Sequence, residues 1–130
     1  MTYFCPSCFK KVSKGVELCP FCETNISRWE ENKTYEQQLI HALGHPISEV
    51  RMGAIISLGN KRCQEAAIPL AECALAYPND IVQNLEILRA IGSLSDSELR
   101  RAALQLLKSH PSSIIRKQLP PIKFEHKEHD

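Results

Sequence analysis

The sequence lacks the features that mark several large classes of protein. No apolar run among its 130 residues is long enough to span a bilayer. Polar residues and a cysteine occupy the N-terminal stretch where a signal peptide carries its apolar core. Sixteen basic residues are balanced by 15 acidic ones, so the composition provides no global positive field for nucleic acid. We therefore expect a cytoplasmic protein without a membrane segment.

Motifs of the common catalytic classes are missing as well. The chain has no glycine-rich phosphate loop and no HExxH metalloprotease motif, and its serines lack the surroundings of a catalytic triad. Alternating runs of β-branched residues are few, so we expect no strands beyond the N-terminal segment. These absences favour a mostly helical protein that is not an enzyme.

What the sequence does contain is a pair of cysteine couplets near its start. Cys5 and Cys8 form the first couplet, and Cys19 and Cys22 form the second, each with the pattern Cys-Pro-x-Cys. A two-residue gap lets both sulfurs of a couplet face one ion, and the proline restricts each turn. We predict one structural Zn²⁺ held by all four thiolates, a closed site without an open position for chemistry. Iron is the second choice of metal, and redox couplets or two disulfides are the alternatives.

Residues 3–25, YFCPSCFKKVSKGVELCPFCETN, resemble a short zinc ribbon of the double-knuckle type that is common in bacterial proteins. The resemblance implies a small β-hairpin fold held together by the metal. Between the couplets, Lys14 and Gly15 are predicted to form the tip of a short hairpin. The family usually has glycine directly after each couplet, whereas this chain has Phe9 and Glu23 there. These two residues must adopt a backbone geometry that glycine tolerates better.

From about residue 34 the apolar residues recur at helical spacing, and six helices are predicted. Prolines that are 32 and then 33 residues apart mark the turn within each predicted helix pair: Pro46, Pro78 and Pro111. A fixed spacing of this size indicates stacked helix pairs that bury their apolar faces against their neighbours. His45 and His110 directly precede two of these prolines, and both are predicted to be structural or solvated.

The segment 35–118 resembles the short bacterial kind of HEAT-like repeat. Residues 39–51 look like the first helix, the turn and the start of the second helix of such a repeat. The family often has arginine at one position of each repeat. In this chain the equivalent residues are Arg51, Gln83 and Arg116. The glutamine departs from the family pattern. The resemblance implies an α-solenoid of about two and a half helical hairpins.

We predict four segments along the chain. They are a zinc ribbon at 1–26, a linker or helix extension at 27–34, a HEAT-like domain at 35–119 and a disordered charged tail at 120–130. Capping-box patterns begin at both Ser27 and Thr34, so either one continuous helix or a polar linker joins the ribbon to the helical domain. Trp29 is predicted to seal the ribbon against the helices, or else to be an exposed anchor.

The predicted second helix of the first pair offers a candidate binding surface. Its core stripe is predicted to consist of Val50, Ala54 and Leu58. Three residues off this stripe are predicted to line a groove for a peptide or helix from a protein partner: Glu49, Met52 and Ile56. Packing of these residues against the next helical layer is the alternative.

Taken together, these features predict a non-enzymatic adaptor or scaffold that binds a protein partner through its helical surface. Nucleic-acid binding by the ribbon is the first alternative, through Lys10, Lys11, Lys14, Arg28, Phe9 and Phe21. A bilin lyase or chaperone activity is the second alternative, and only the resemblance to HEAT-like proteins implies it.

Overall fold

The computed structural model describes residues 3–120 and shows a mostly helical chain with a small N-terminal sheet. In chain order the elements are β1 (Tyr3–Phe4), β2 (Lys11–Val12), α1 (Ile26–Glu31), α2 (Tyr35–Ala42), α3 (Ser48–Asn60), a 3₁₀ helix (Gln64–Ala66), α4 (Ala67–Ala76), α5 (Ile81–Gly92), α6 (Glu98–Leu107) and α7 (Ser113–Lys117). No helix among residues 3–120 has the length and apolarity needed to cross a membrane. The predicted charged tail lies, apart from Pro120, outside the described residues.

The two strands lie on either side of the first cysteine couplet. They pair in antiparallel register, with Tyr3 opposite Val12. The predicted turn at Lys14 and Gly15 is present, and Gly15 has a φ of 80°. The prediction of a hairpin between the two couplets is nevertheless wrong. β2 pairs with β1, on the other side of the first couplet, and not with the residues that follow Gly15.

Two short helices join the N-terminal sheet to the rest of the chain. Asn25, and not Ser27, caps α1, because its side-chain oxygen accepts a hydrogen bond from the Arg28 N–H at 2.9 Å. The capping box predicted for α2 is present: the Thr34 hydroxyl accepts from the Gln37 N–H at 3.1 Å, and the Gln37 amide oxygen accepts from the Thr34 N–H at 2.9 Å. The chain leaves the helical conformation between α1 and α2, so the alternative of one continuous helix is wrong.

The helices from α2 to α7 occupy the segments that the apolar spacing predicted. α3 packs against α2 and α5, α4 packs against α5 and α6, and α5 packs against α7. Gly59 lies inside α3 instead of ending it, and a Cβ atom there would lie 2.9 Å from the Ala90 Cβ. This glycine therefore permits a close approach of α3 and α5. α6 is capped by Ser97, whose hydroxyl accepts from the Arg100 N–H at 3.2 Å.

The apolar core lies among α3, α4, α5 and α6. Its largest fully buried apolar side chains are Ile55, Leu58, Leu70, Ile87, Ile91, Leu104, Leu107 and Ile115. On α3 the buried face contains Arg51 together with Ile55 and Leu58, whereas Val50 is 38% exposed. The predicted core stripe of this helix is therefore wrong at Val50, because a hydrophobic pattern treats an arginine as a residue that faces solvent.

A buried polar arrangement recurs at the first and third helix-pair turns. His45 and His110 are both buried, and the Nδ1 atom of each accepts the N–H of the residue two positions further on. Six residues after each histidine an arginine donates back to its carbonyl oxygen, Arg51 at 2.8 Å and Arg116 at 2.5 Å. Burial lowers the pKa of both imidazoles. The prediction that these histidines are structural is confirmed.

Candidate metal centre

Each cysteine couplet lies in a turn that two backbone hydrogen bonds close. We call these turns knuckle 1 (residues 5–10) and knuckle 2 (residues 19–24). The Phe9 N–H donates to the Cys5 carbonyl at 2.8 Å, and the Glu23 N–H donates to the Cys19 carbonyl at 2.9 Å. In each knuckle the N–H of the first cysteine also donates to the carbonyl of the residue five positions further on, at 2.9 Å and 3.0 Å. The two couplets therefore have the same local fold.

The residue that follows each couplet has a left-handed backbone. Phe9 has a φ of 68° and Glu23 a φ of 64°. A residue with a Cβ atom pays about 1–2 kcal/mol for this conformation relative to the right-handed one. The predicted consequence of replacing glycine at these two positions is confirmed, and both turns form despite it.

The knuckles bring the four cysteine sulfurs together. All four Sγ atoms lie within 4.8 Å of one another, and the closest pairs join the two knuckles, Cys5 to Cys22 at 3.7 Å and Cys8 to Cys19 at 3.7 Å. A tetrahedral ion with metal–sulfur bonds of about 2.3 Å requires sulfur–sulfur distances of about 3.8 Å. The sulfurs are not joined as disulfides. The four cysteines are therefore positioned to hold one metal ion.

Neighbouring groups give the four thiols different acidities. The Thr24 hydroxyl, 3.2 Å from the Cys22 Sγ, and the Thr24 backbone N–H lower the pKa of Cys22 to about 6. For Cys8, the Lys10 backbone N–H lowers the pKa, but loss of hydration and the Cys19 sulfur outweigh it and raise the pKa to about 12. Without metal, the cluster therefore keeps some of its protons at neutral pH, and a bound cation would displace them.

The first cysteine of each knuckle is the more protected one. Cys5 and Cys19 are buried, whereas Cys8 is half-buried and Cys22 is exposed. The Phe21 N–H lies 3.4 Å from the Cys19 Sγ and stabilises negative charge on that sulfur. Solvent therefore reaches the site from the side of the second cysteines, and an ion can enter there.

Knuckle 1 also packs against α2 and the turn that follows it. The Ser7 carbonyl accepts a hydrogen bond from the His41 Nε2 at 2.7 Å. The Phe9 ring centroid lies 4.8 Å from that of His41 and 4.9 Å from that of His45. A Cβ atom on Gly44 would lie 3.5 Å from the Phe9 ring, so the ring covers this turn closely. Knuckle 1 itself thus makes the contact with the helices.

Two further aromatic residues complete this contact. The Trp29 ring of α1 lies 5.2 Å from His41, which confirms the predicted contact of this residue with the helices. The Phe4 ring meets His45 edge-on at 5.0 Å. Sequence reasoning missed both histidines as contacts of the ribbon. His41 and His45 are four residues apart, a spacing that places two side chains on the same side of a helix. This spacing was the signal that could have indicated a shared contact.

The three residues predicted to line a partner groove lie on the solvent side of α3. Glu49 and Ile56 are exposed, and Met52 is half-buried. They lie away from the buried face that contains Arg51 and Ile55. Their role in binding a partner stays a prediction.

Five of the six residues of the nucleic-acid alternative are exposed, and the sixth, Phe9, contacts the helices. The four cationic side chains are exposed: Lys10, Lys11, Lys14 and Arg28. Phe21 is 59% exposed, and the Lys10 ammonium group lies 5.9 Å from its ring centre. Phe9, in contrast, packs against the helices, so its ring is not available to stack on a base.

Comparisons with known proteins identify no relative of this chain. No family model matches it, no curated protein matches it and no solved structure matches it. The structure alone therefore defines the class: a mostly helical protein with an N-terminal cluster of four cysteines that can hold a metal ion.

Proposed function

We propose that this chain is a non-enzymatic, zinc-holding protein whose helices form a HEAT-like stack and bind a protein partner. Four thiolates in a tetrahedral arrangement suit zinc, and they leave no ligand position open for a substrate or for an activated water. Iron is the other metal that accepts four thiolates. A zinc-loaded protein is colourless because Zn²⁺ has a filled d shell, so the visible absorption spectrum separates the two metals.

Equivalent contacts in the first and third helix pairs support the proposed stack. Arg51 bonds to its own turn through the His45 carbonyl and reaches the next pair through a 2.7 Å hydrogen bond to the Gln83 side chain. Arg116 bonds to the His110 carbonyl in the same way as Arg51 does in its own turn. The first and third helix pairs thus share one local design, and repetition of this kind is expected of a repeat protein.

One observation carries the proposed partner surface: large apolar side chains are exposed on α3, α5 and α7. They are Val50, Ile56, Val82, Leu85 and Ile114. Because α5 packs against both α3 and α7, the three helices form one layer. Exposed apolar residues grouped on one helical layer favour a peptide or helix partner over a charged polymer.

The charge of the ribbon argues against nucleic acid as the partner. Three lysines within residues 3–25 are opposed by Glu17 and Glu23. A zinc ion with four thiolates adds two net negative charges, so the loaded ribbon is negative overall. Phosphate binding needs the opposite sign of charge. A bilin lyase or chaperone role gains no support from the described residues.

A capture experiment with paired variants tests the proposed function. Tagged wild-type chain and the variant Val82→Asp/Leu85→Asp are compared in lysate of the source cells, with and without nuclease treatment. The matched control is Leu99→Asp, a leucine that is similarly exposed but lies on α6 outside the layer. We expect one protein to be captured by wild type and by the control, and to be lost from the double variant.

Two results would contradict this proposal. A partner that disappears on nuclease treatment would favour the nucleic-acid alternative. A partner that the double variant still captures as well as wild type does would place the binding surface elsewhere on the chain.

A further inference from the structure

α2 is short and only partly buried. It contains eight residues, none of which is fully buried, and its core contacts come from the partly buried Leu39, Ile40 and Ala42. An isolated helix of this length is not stable in water, so α2 needs contacts from its neighbours. α3 supplies those on one side. The contacts described above between knuckle 1 and α2 supply another.

α1 forms a second connection between the metal site and α2. Leu18, directly before knuckle 2, forms a β-bridge with Asn25, which directly follows knuckle 2 and is the N-cap of α1. From the α2 side, the Gln38 side chain donates to the Glu30 carbonyl at 3.0 Å. Trp29 of α1 meets His41 of α2, as noted above. Both knuckles are therefore linked to α2, knuckle 1 directly and knuckle 2 through α1.

From these contacts we propose that the metal-dependent part of the chain extends beyond the ribbon and includes α1 and α2. Loss of the metal would then release residues 3–47 as one unit, while α4 to α7 stay folded. The proposal rests on the proposed metal site. It makes the first helix pair of the stack, and the apolar surface beneath α2, responsive to metal.

A buried cysteine reports on this release. Cys73 of α4 is 5% exposed, and its Sγ lies 3.4 Å from the carbonyl oxygen of Leu43, the residue that ends α2. Burial raises the pKa of Cys73 to about 11, so its thiol should react slowly while α2 covers it. A released α2 would expose this thiol to solvent and to an alkylating reagent.

The test is alkylation with iodoacetamide, with each cysteine followed by mass spectrometry. The full chain is loaded with zinc and measured before and after addition of a chelator. We expect chelation to speed the modification of Cys73 by about tenfold or more, as in a local unfolding step. Amide hydrogen exchange in α5 should not change. Exposure of the four ligand cysteines on chelation reports separately that metal was bound and lost.

Two variants separate release of α2 from loss of metal. Phe9→Gly removes the ring that contacts the helices and also relieves the left-handed backbone, so knuckle 1 keeps all its ligands. Glu23→Gly is the matched control, because it makes the same backbone change in knuckle 2, where the side chain is exposed. With zinc bound, Phe9→Gly should speed the modification of Cys73 and Glu23→Gly should leave it unchanged.

The result that overturns the proposal is a Cys73 that stays protected after chelation while the four ligand cysteines become modified. That result would confine the metal-dependent part to the ribbon and leave the metal site itself intact. Ligand cysteines that react equally fast with and without chelator would instead overturn the metal site, and the proposal with it.

Discussion

The guanidinium group of Arg51 lies over the ring of Tyr77, with its central carbon 3.6 Å from the ring centre. Arg51 belongs to the first helix pair and Tyr77 to the turn of the second, so this contact joins neighbouring pairs. The side chain is buried, and it also donates to the Gln83 amide at 2.7 Å and to the His45 carbonyl at 2.8 Å. Asp80, whose carboxylate lies 3.8 Å away, balances its charge.

We therefore expect Arg51→Met to destabilise the chain by about 2–4 kcal/mol, because it leaves buried acceptors without a donor. Urea unfolding followed by circular dichroism measures the change. Arg116→Met is the matched control, because Arg116 has the equivalent position in the third pair but is exposed. Its cost should stay below about 1 kcal/mol. Equal losses in both variants would contradict a special role for the Arg51 contacts.

The second prediction concerns two leucines three residues apart on α5. Leu88 is 6% exposed and belongs to the core, whereas Leu85 is 39% exposed. Leu88→Ala should lower the free energy of unfolding by about 2–5 kcal/mol, the usual cost of truncating a buried leucine. Leu85→Ala should cost less than about 1 kcal/mol, since it removes little buried surface. Chemical denaturation of both variants gives the comparison, and similar denaturation midpoints would show that α5 faces the core differently.

The third prediction is a pH dependence that arises from His110. Burial lowers the pKa of this imidazole in the folded chain, whereas the unfolded chain retains an ordinary value of about 6.5. Between the two values the unfolded state binds more protons, so the free energy of unfolding rises with pH. The contribution of His110 to the free energy of unfolding is complete above about pH 6.5. It is lost as the pH falls toward the pKa that His110 has in the folded chain.

His110→Asn keeps an acceptor for the Ser112 N–H and removes the titration. Urea unfolding of zinc-saturated protein at pH 5.5 and pH 7.5, chosen to bracket about 6.5, should show a smaller pH effect in the variant than in wild type. Identical pH effects in both proteins would mean that His110 does not titrate differently on folding.

The cluster of four cysteines could be predicted from sequence because its geometry is local. Cys5 and Cys8 lie in one turn, and Cys19 and Cys22 in another, so the spacing alone places each pair of sulfurs on one side. The left-handed geometry of Phe9 and Glu23 was expected from the resemblance to zinc ribbons, which usually have glycine at these positions. The helical segments were predictable for a similar reason, since periodic apolar residues identify them directly.

The orientation of the helices was harder to predict than their positions. Val50 was assigned to the core of α3, yet it is exposed. Buried polar residues take the core positions that the patterns gave to apolar ones, Arg51 on α3 and Asn84 on α5. A buried polar side chain is stable only when its partners are in place, and those partners come from other helix pairs that no local pattern reveals.

The contact between the ribbon and the helices was not predictable for the same reason. It depends on His41 and His45, whose rings meet Phe9 from a part of the chain more than 30 residues away. A hydrophobic pattern treats histidine as polar, so neither ring was assigned to an interface. The strand pairing across the first couplet was missed because strands of two residues give no periodic signal.

The most direct test of the account is the metal content of the purified chain, measured by native mass spectrometry together with elemental analysis. We expect one zinc ion per chain, lost in Cys8→Ser and in Cys19→Ser and retained in Cys63→Ser, which replaces a buried cysteine outside the cluster. A wild-type chain without metal after supply of zinc, or full metal content in all three variants, would contradict it.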